Sequence, residues 1–245
     1  MTLQNKDCLD FVREIKDESV DLVLTDPPYF IGYDGGKGWD SQWENEQQYL
    51  TWCQEWSQEC ARILKPNRMM IVFGTLKTDT FLRYKLNVLN QLPNMYPQNE
   101  IIWSYNWGGR SKANFARKHE YAWCYSKNKE FMFNPDNIRI ERKQKINIRT
   151  GLPFEGGTIP TCVWEKNNHT TSKEYCGWHP TQKPIEILSR MIQAYTNEGD
   201  VVADLFSGSG STMIACQNTK REFTGSEIDL EYYEKSLQRL QLLSK

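Results

Sequence analysis

The sequence predicts an α/β fold built on a mostly parallel, doubly wound sheet, with one long inserted segment. Three observations predict it. Short apolar runs bounded by turn residues, at 20–25, 69–73, 201–205 and 222–226, alternate with stretches of helical spacing. Two of these runs end in ligand-crevice motifs, Asp26-Pro27-Pro28-Tyr29 after the first and Phe206-Ser207-Gly208-Ser209-Gly210 after the third. Between 129 and 178 the periodicity disappears, and Gly151, Pro153, Gly156, Gly157 and Pro160 punctuate a segment rich in Lys and Arg.

Residues 1–5 read as a short strand. Asp7-Cys8 follows as an acidic turn, and Leu9, Val12 and Ile15 then recur at helical spacing. The run Val20 to Thr25 is β-branched and apolar, and two prolines stop it, because Pro fixes φ and biases the preceding residue away from the helical region. The next segment, Phe30 to Trp39, holds four glycines in seven residues, and its sequence supports either a mobile lid beside the proline turn or a plain surface loop. Residues 49–64 carry Trp52, Trp56, Cys60 and Ile63 at three- and four-residue steps, which predicts a helix with one buried face stopping at Lys65-Pro66.

Met69 to Phe73 reads as a strand ended by Gly74, 78–92 as a helix ending before Pro93, and 100–105 and 120–125 as two β-rich runs. After the excursion, a helix over 184–195 with Pro at its first turn precedes the strand 201–205. A helix at 212–218, a strand at 222–226 ending in Glu227 and a helix over 230–243 close the chain. The domain expectation is therefore a catalytic half at 1–128, an inserted region at 129–178 and a cofactor-binding half at 179–245.

The 245 residues suffice for one large domain with an excursion. Charge is balanced overall, 30 Lys and Arg against 31 Asp and Glu, so the whole composition carries no nucleic-acid signature. The distribution is uneven: residues 100–150 hold eleven basic and five acidic side chains, a local net of +6, so that middle segment is where polyanion binding would fall. In the connection 106–118, Arg110, Lys112, Arg117 and Lys118 are interleaved with Trp107 and Phe115, a composition suited to phosphate contacts and base stacking; a solvated hairpin connection has the same composition. Arg139, Arg142, Lys143, Lys145 and Arg149 form the densest basic cluster.

Seven scattered cysteines with no close ligand pair argue against a disulfide framework and a zinc site, so no metal is expected. No basic-then-apolar leader and no apolar run of membrane-spanning length occurs, and a reduced, soluble, cytoplasmic protein with no membrane partner is expected.

The proline turn offers acceptors in a fixed arrangement: the Asp26 carboxylate, the Pro27 carbonyl and, beside them, the Tyr29 ring. Such a group suits an amine on a planar ring, although an Asp-Pro turn capping a strand has the same sequence. The later strand, glycine turn, helix, strand and acidic residue form an adenosine-binding arrangement, with Glu227 lying 17 residues after Gly210 to accept from ribose hydroxyls. Met213 stands where a dinucleotide fingerprint has its third glycine. If strands 20–25 and 201–205 are neighbours where the strand order reverses, the two motifs face one another.

With both motifs in this order, the chain resembles the amino-group DNA methyltransferases that use S-adenosylmethionine, in the permuted β group that has the catalytic tetrapeptide first and the Phe-x-Gly-x-Gly turn near the C-terminus. Nearly the whole chain can be laid along that pattern. The resemblance implies a Rossmann-like S-adenosylmethionine-dependent methyltransferase fold with a target-recognition region at the insertion, in a bacterial or phage-borne enzyme acting on DNA. It implies that Asp7 and Cys8 flank the cofactor adenine, that Glu227 holds the ribose, and that Asp204, Phe206, Ser207, Gly208 and Gly210 wall the methionine part. In His179-Pro180-Thr181-Gln182-Lys183-Pro184, it implies that Thr181 and Gln182 approach the methionine carboxylate and that Lys183 supplies positive charge. His179, His119 and His169 are expected to be structural or surface groups.

The expected reaction is direct methyl transfer to N6 of a flipped-out adenine, with Asp26, Pro27, Pro28 and Tyr29 as the catalytic turn and Tyr29 with Phe30 or Phe115 sandwiching the base. The gap left in the duplex is a task for the 30–39 loop. Cytosine N4 or an RNA adenine presents a similar amine, but the family more often has Ser in place of Asp26 in cytosine enzymes. Two readings from other classes are a nicotinamide-dependent oxidoreductase, which leaves residues 26–29 unexplained, and a catalytically silent nucleic-acid-binding partner. A homodimer, with the aromatic-rich helix 49–64 as interface, is expected only by analogy.

Overall fold

The computed structural model describes residues 1–108, 110–167 and 174–243. The chain runs β1 (Thr2–Asn5), α1 (Cys8–Arg13), β2 (Val20–Thr25), α2 (Glu46–Ile63), β3 (Leu64–Gly74), α3 (Asp79–Asn87), β4 (Met95–Ser104), β5 (His119–Lys127), β6 (Val163–Glu165), α4 (Ile185–Tyr195), β7 (Val201–Asp204), α5 (Ser211–Asn218), β8 (Glu222–Glu227) and α6 (Leu230–Leu243). The strands form one sheet in the order β1-β8-β7-β2-β3-β5-β4-β6. Every pairing is parallel except those of β5, which runs antiparallel to both β3 and β4.

The period-two pattern of the central strands is what makes the sheet two-sided. Met69, Ile71 and Phe73 of β3 and Leu22 and Leu24 of β2 face α4 and α5, packing with Leu188, Met191, Ile192, Met213 and Ile214. Met70, Val72 and Val23 face the other way, onto Phe11, Tyr49, Trp56, Phe81 and Tyr84 of α1, α2 and α3. Each such side chain removed from water contributes about 1.5–3 kcal/mol. A strand buried on both faces has no polar alternation, which is why β2 is apolar from Val20 to Leu24 except for Asp21, whose buried carboxylate pairs with Lys65 and Arg68.

Four elements differ from the expectation. α2 starts at Glu46, earlier than the apolar spacing indicates, because the Asn45 side chain caps it by accepting from the Gln48 amide at 3.0 Å. The predicted 78–92 helix ends at Asn87 and passes into a short 3-10 turn, Leu89–Gln91. β4 begins at Met95 because pairing with β5 carries the chain through a bulge between Pro97 and Asn99. β6, absent from the expectation, adds three residues to the edge beside β4.

The tryptophans of α2 point inward. Trp56 is fully buried, and Trp52 packs on Phe206 with ring centroids 5.5 Å apart, so these rings offer no self-association surface. Within residues 129–178, Ile138 and Trp164 belong to the core, and the Asn134 amide donates to the Ala194 carbonyl at 2.7 Å. The stretch between them is an irregular hairpin held by the isolated bridges Ile140 to Thr158 and Ile146 to Pro153. All seven cysteines are free, and among the described residues no helix is long and apolar enough to cross a membrane.

Candidate functional site

β2 and β7 are parallel neighbours, with Leu22 opposite Val202 and Val23 opposite Ala203. Both strands therefore end at the same edge of the sheet. On one side β1 and β8 follow, and on the other β3, so the crevice forms where the strand order reverses. A cavity of about 1190 Å³ opens there, lined by Asp26, Pro27, Pro28 and Tyr29 from the β2 turn and by Asp204, Phe206, Ser207 and Gly208 from the β7 turn.

Several polar groups of the β2 turn are engaged. The Tyr29 hydroxyl donates to Asp26 Oδ1 at 2.5 Å, and the Tyr49 hydroxyl donates to the Pro28 carbonyl at 2.8 Å. The Pro27 carbonyl accepts no hydrogen bond among the described residues. Burial and the neighbouring Asp26 and Glu120 charges raise the Tyr29 phenol well above its ordinary pKa, so it stays a donor. Lys183 Nζ contacts Asp26 Oδ2 and lies 3.2 Å from Glu120 Oε2, and these two carboxylates hold the buried ammonium in its charged form. Glu120 is raised by burial, in part opposed by Lys183.

Asp40 was not visible in the sequence as a site residue. Its buried carboxylate accepts from four backbone amides: Tyr29 and Phe30 at 2.7 Å on Oδ1, and Ile31 at 2.8 Å and Tyr33 at 3.1 Å on Oδ2. The segment after the tetrapeptide is thus folded around a single anion, as in an anion-binding nest. Further along the same loop, Lys37 pairs with Glu231 and, at 3.4 Å, with Asp229. Phe30, at φ +55°, stacks on Tyr49 with centroids 5.2 Å apart and does not line the cavity. The sandwich of Tyr29 with Phe30 is therefore corrected: the left-handed turn at Phe30 sends its ring into the α2 cluster.

On the β7 side, Asp204 Oδ1 accepts from Thr25 Oγ1 at 2.8 Å and from the Phe206 amide at 3.1 Å, and burial raises its pKa to about 6. Glu227 accepts from the Gly208 amide at 2.7 Å and the Asp229 amide at 2.9 Å, while burial pushes it up to about 7. Gly208 and Gly210 both have positive φ, and a Cβ would lie 2.7 Å from His179 Nε2 at the first and 2.9 Å from Ser236 Cβ at the second. These glycines are needed for the turn and its packing, whatever approaches from the cavity. From α6, Arg239 binds the Ser209 carbonyl at 2.7 Å and Ser211 Oγ at 3.0 Å. Ser207 Oγ is buried without a hydrogen-bond partner among the described residues and lines the cavity, an unused polar atom suited to a ligand.

The remaining expected site residues divide. Asp7 and Cys8 line the cavity, but the Asp7 carboxylate caps α1 by accepting from the Leu9 amide at 2.8 Å. Thr181 and Gln182 line it too, although the Gln182 amide is committed to backbone, accepting from the Cys176 amide at 2.9 Å and donating to the Glu174 carbonyl at 2.8 Å. Burial, together with the Lys183 and Arg239 charges, lowers His179 to about 3, so it is neutral. His169 lies outside the described residues.

Arg110, Phe115 and Arg117 line the cavity, whereas Lys112 and Lys118 do not. Lys118 instead closes its own loop on the Trp107 and Gly108 carbonyls at 2.6 and 2.9 Å. Arg139, Arg142 and Lys145 surround a separate hollow with Phe154, and Arg139 pairs with Asp136 at 2.6 Å. Lys143 and Arg149 are exposed. Among the described residues no group of three His, Cys, Asp or Glu is placed to hold a metal ion.

A family model described as DNA methylase, of the N6/N4 methyltransferase type, matches residues 20–238. The chain belongs to the N6/N4 DNA methylase family. It is 34% identical to the type II methyltransferase M.HpaI of Haemophilus parainfluenzae over 230 residues, covering 94% of this chain and 70% of that one. It is 32% identical to the DNA adenine methyltransferase YhdJ of Escherichia coli, covering 99% and 83%. Among solved structures, the PvuII cytosine-N4-specific DNA methyltransferase superposes with a TM-score of 0.77 at 17% identity, covering 99% of this chain and 89% of that one, which shows a shared fold. This methylase therefore has the α/β methyltransferase architecture that its two turn motifs indicate, and its reaction is methylation of DNA.

Proposed function

We propose that this methylase is a site-specific enzyme that transfers a methyl group from S-adenosylmethionine to N6 of an adenine turned out of the DNA duplex. The observation that supports it most directly is the meeting, in one cavity, of an amine-accepting turn with a glycine turn and a strand-end carboxylate. The residues present fit the cofactor: Ser207 Oγ lacks a partner among the described residues, Glu227 ends β8 inside the cavity, and the half-buried Trp52 presents an aromatic wall. Glu227, Asp204 and Ser207 would hold it, with Asp7, Cys8 and Phe206 around its ring and chain. When bound, S-adenosylmethionine supplies an electrophilic methyl on a sulfonium.

The protein's own residues do the rest. The lone pair of adenine N6 is delocalised into the ring, which makes the amine a poor nucleophile. Asp26 still has lone pairs free beyond those taken by Tyr29 and Lys183, and the Pro27 carbonyl is free. Each accepts one N6 hydrogen, drawing the nitrogen toward tetrahedral geometry and aiming its lone pair. The positive charge that develops on the amine is met by the Asp26 carboxylate, which also receives the departing proton. Tyr29 stacks on the base, its ring held edge-on by Phe81 at 4.7 Å. A stacked base cannot reach this depth, so the nucleotide is flipped, and Arg110, Arg117 and the 95% exposed Phe115 contact the strand around it. The hairpin carrying Arg139, Arg142, Lys143, Lys145 and Arg149 reads the flanking sequence.

Adenine is favoured over cytosine by Asp26 itself and by the likeness to an adenine methyltransferase across nearly the whole chain. The test is transfer of labelled methyl from S-adenosylmethionine to unmethylated DNA, followed by nucleoside digestion. Label is expected in N6-methyldeoxyadenosine. Label in N4-methylcytosine overturns the choice of base, and label only in RNA overturns the choice of nucleic acid.

A further inference from the structure

We propose that Lys183 reads the base: its ammonium donates a hydrogen bond to the ring nitrogen next to the target amine, so the site selects bases whose amine adjoins an unprotonated ring nitrogen. This rests on the cavity being an amine-methylating site. The expectation gave Lys183 only a positive charge, and the geometry places that charge on the catalytic turn. Its side chain leaves the segment before α4, is 7% exposed, and ends on the catalytic turn. The ammonium has three N–H groups. One is donated to Asp26 Oδ2, and Glu120 Oε2 lies 3.2 Å away as an ion pair without a hydrogen bond, so among the described residues the ammonium keeps N–H capacity for a further acceptor. The Tyr29 and Phe73 rings flank the ammonium at 5.8 and 5.2 Å from their centroids, so its direction is fixed by walls as well as by charge.

An acceptor and a donor therefore stand side by side at the floor of the cavity, Asp26 and Lys183. The edge complementary to that pair is a donor beside an acceptor. Adenine presents its amine N6–H beside the unprotonated N1 and cytosine its amine N4–H beside the unprotonated N3; on the same edge guanine's amine N2–H adjoins N1–H, and thymine has no exocyclic amine for Asp26 to hold. A protonated ring nitrogen facing an ammonium leaves two donors opposed, and such a mismatch discriminates strongly in a buried site. Glu120 completes the device. It keeps Lys183 in place when the base amine takes up part of Asp26's capacity, and its proximity to the ammonium limits the electron withdrawal that a bare cation at the ring nitrogen would impose on the amine.

The experiment uses the full chain and a duplex carrying the target site, mapped beforehand by sequencing methylated DNA. Methyl transfer to the natural base is compared with transfer to its analogue lacking the ring nitrogen, 1-deazaadenine for adenine or 3-deazacytosine for cytosine. The wild-type protein is expected to methylate the analogue with kcat/KM lower by about 10- to 100-fold, the value of one charge-assisted hydrogen bond. That loss runs against two opposing trends, since the analogue pairs poorly and flips more readily, and its amine is the more nucleophilic. Lys183→Met is expected to bring the two substrates within threefold of each other. Equal use of both substrates by the wild-type protein overturns the inference, as does discrimination that survives in Lys183→Met. The wild-type comparison decides even where the variant does not fold. Absence of transfer to the natural base in any DNA overturns the amine-methylation reading itself, and Lys183's role with it.

Discussion

Replacing Asp40 removes the anion around which residues 29–33 are folded. Its four charge-assisted hydrogen bonds, at about 1.5–3 kcal/mol each, sum to roughly 6–12 kcal/mol. Fixing the backbone of the five residues costs about 1–2 kcal/mol each, or roughly 5–10 kcal/mol. The two nearly cancel, so this segment is ordered only because the carboxylate is there, and Asp40→Ala makes the ordered form a minority. We expect kcat for methyl transfer to fall by about 10²–10³-fold, since Tyr29 and Asp26 lose the frame that aims them. Cofactor affinity should change by less than about threefold, because the β7 turn and Glu227 share no bond with Asp40. Asp40→Asn should fall between the two: its amide oxygen serves Tyr29 and Phe30, but its NH₂ then opposes the Ile31 and Tyr33 amides. Steady-state methyl transfer with isothermal cofactor titration, alongside hydrogen exchange at the amides of 29–33, reads all three. Unchanged exchange protection in Asp40→Ala, or cofactor affinity falling as far as kcat, would refute the reasoning.

Four further outcomes follow from the same geometry. Glu227 has a folded pKa of about 7 against an ordinary value of 4.5, and only its ionised form accepts two hydroxyls; cofactor affinity should therefore rise up to tenfold per pH unit between about 6 and 7 and flatten above, and Glu227→Gln should bind weakly with no such slope. The sign for the free protein is opposite: the native state binds the extra proton between about 4.5 and 7, so its stability falls as pH rises through that window, measurable by denaturant titration. Arg110→Ala and Arg117→Ala should each weaken binding to any DNA sequence alike and lower the slope of log affinity against log salt by about 0.9, in a salt series of binding isotherms. Gly208→Ala places a Cβ 2.7 Å from His179 at φ +49° and should cost about 1–3 kcal/mol in denaturation, partly relieved by a second change, His179→Ala.

The central sheet was legible because β2, β3 and β7 are buried on both faces, and that environment writes a near-continuous apolar run that no neighbour needs to supply. The crevice was legible because prolines and positive-φ glycines are punctuation that the backbone itself demands, at Pro27 and Pro28 and at Gly208 and Gly210. β6 was not, since its three residues are a strand only by pairing with Trp103 and its neighbours some 60 positions earlier. Asp40 sits in a glycine-rich loop with no period, and an Asp there reads as a turn former; its four partners precede it and are backbone groups without a sequence signature. Lys183 and Glu120 meet across the sheet from segments 63 residues apart, and nothing local to either shows that a buried ammonium would be held between Glu120 and Asp26. The likeness to a family supplied the two-motif order and a positive charge at Lys183, without the place of that charge.

The most direct test of the account is methyl transfer and cofactor binding measured side by side for the wild-type protein and Asp26→Ala. If Asp26 holds the amine, transfer falls by at least about 10²–10³-fold while S-adenosylhomocysteine binds within several-fold of wild type. Transfer that persists in the variant, or cofactor binding lost together with transfer, would contradict the assignment of the Asp26 turn as the place where the amine is held.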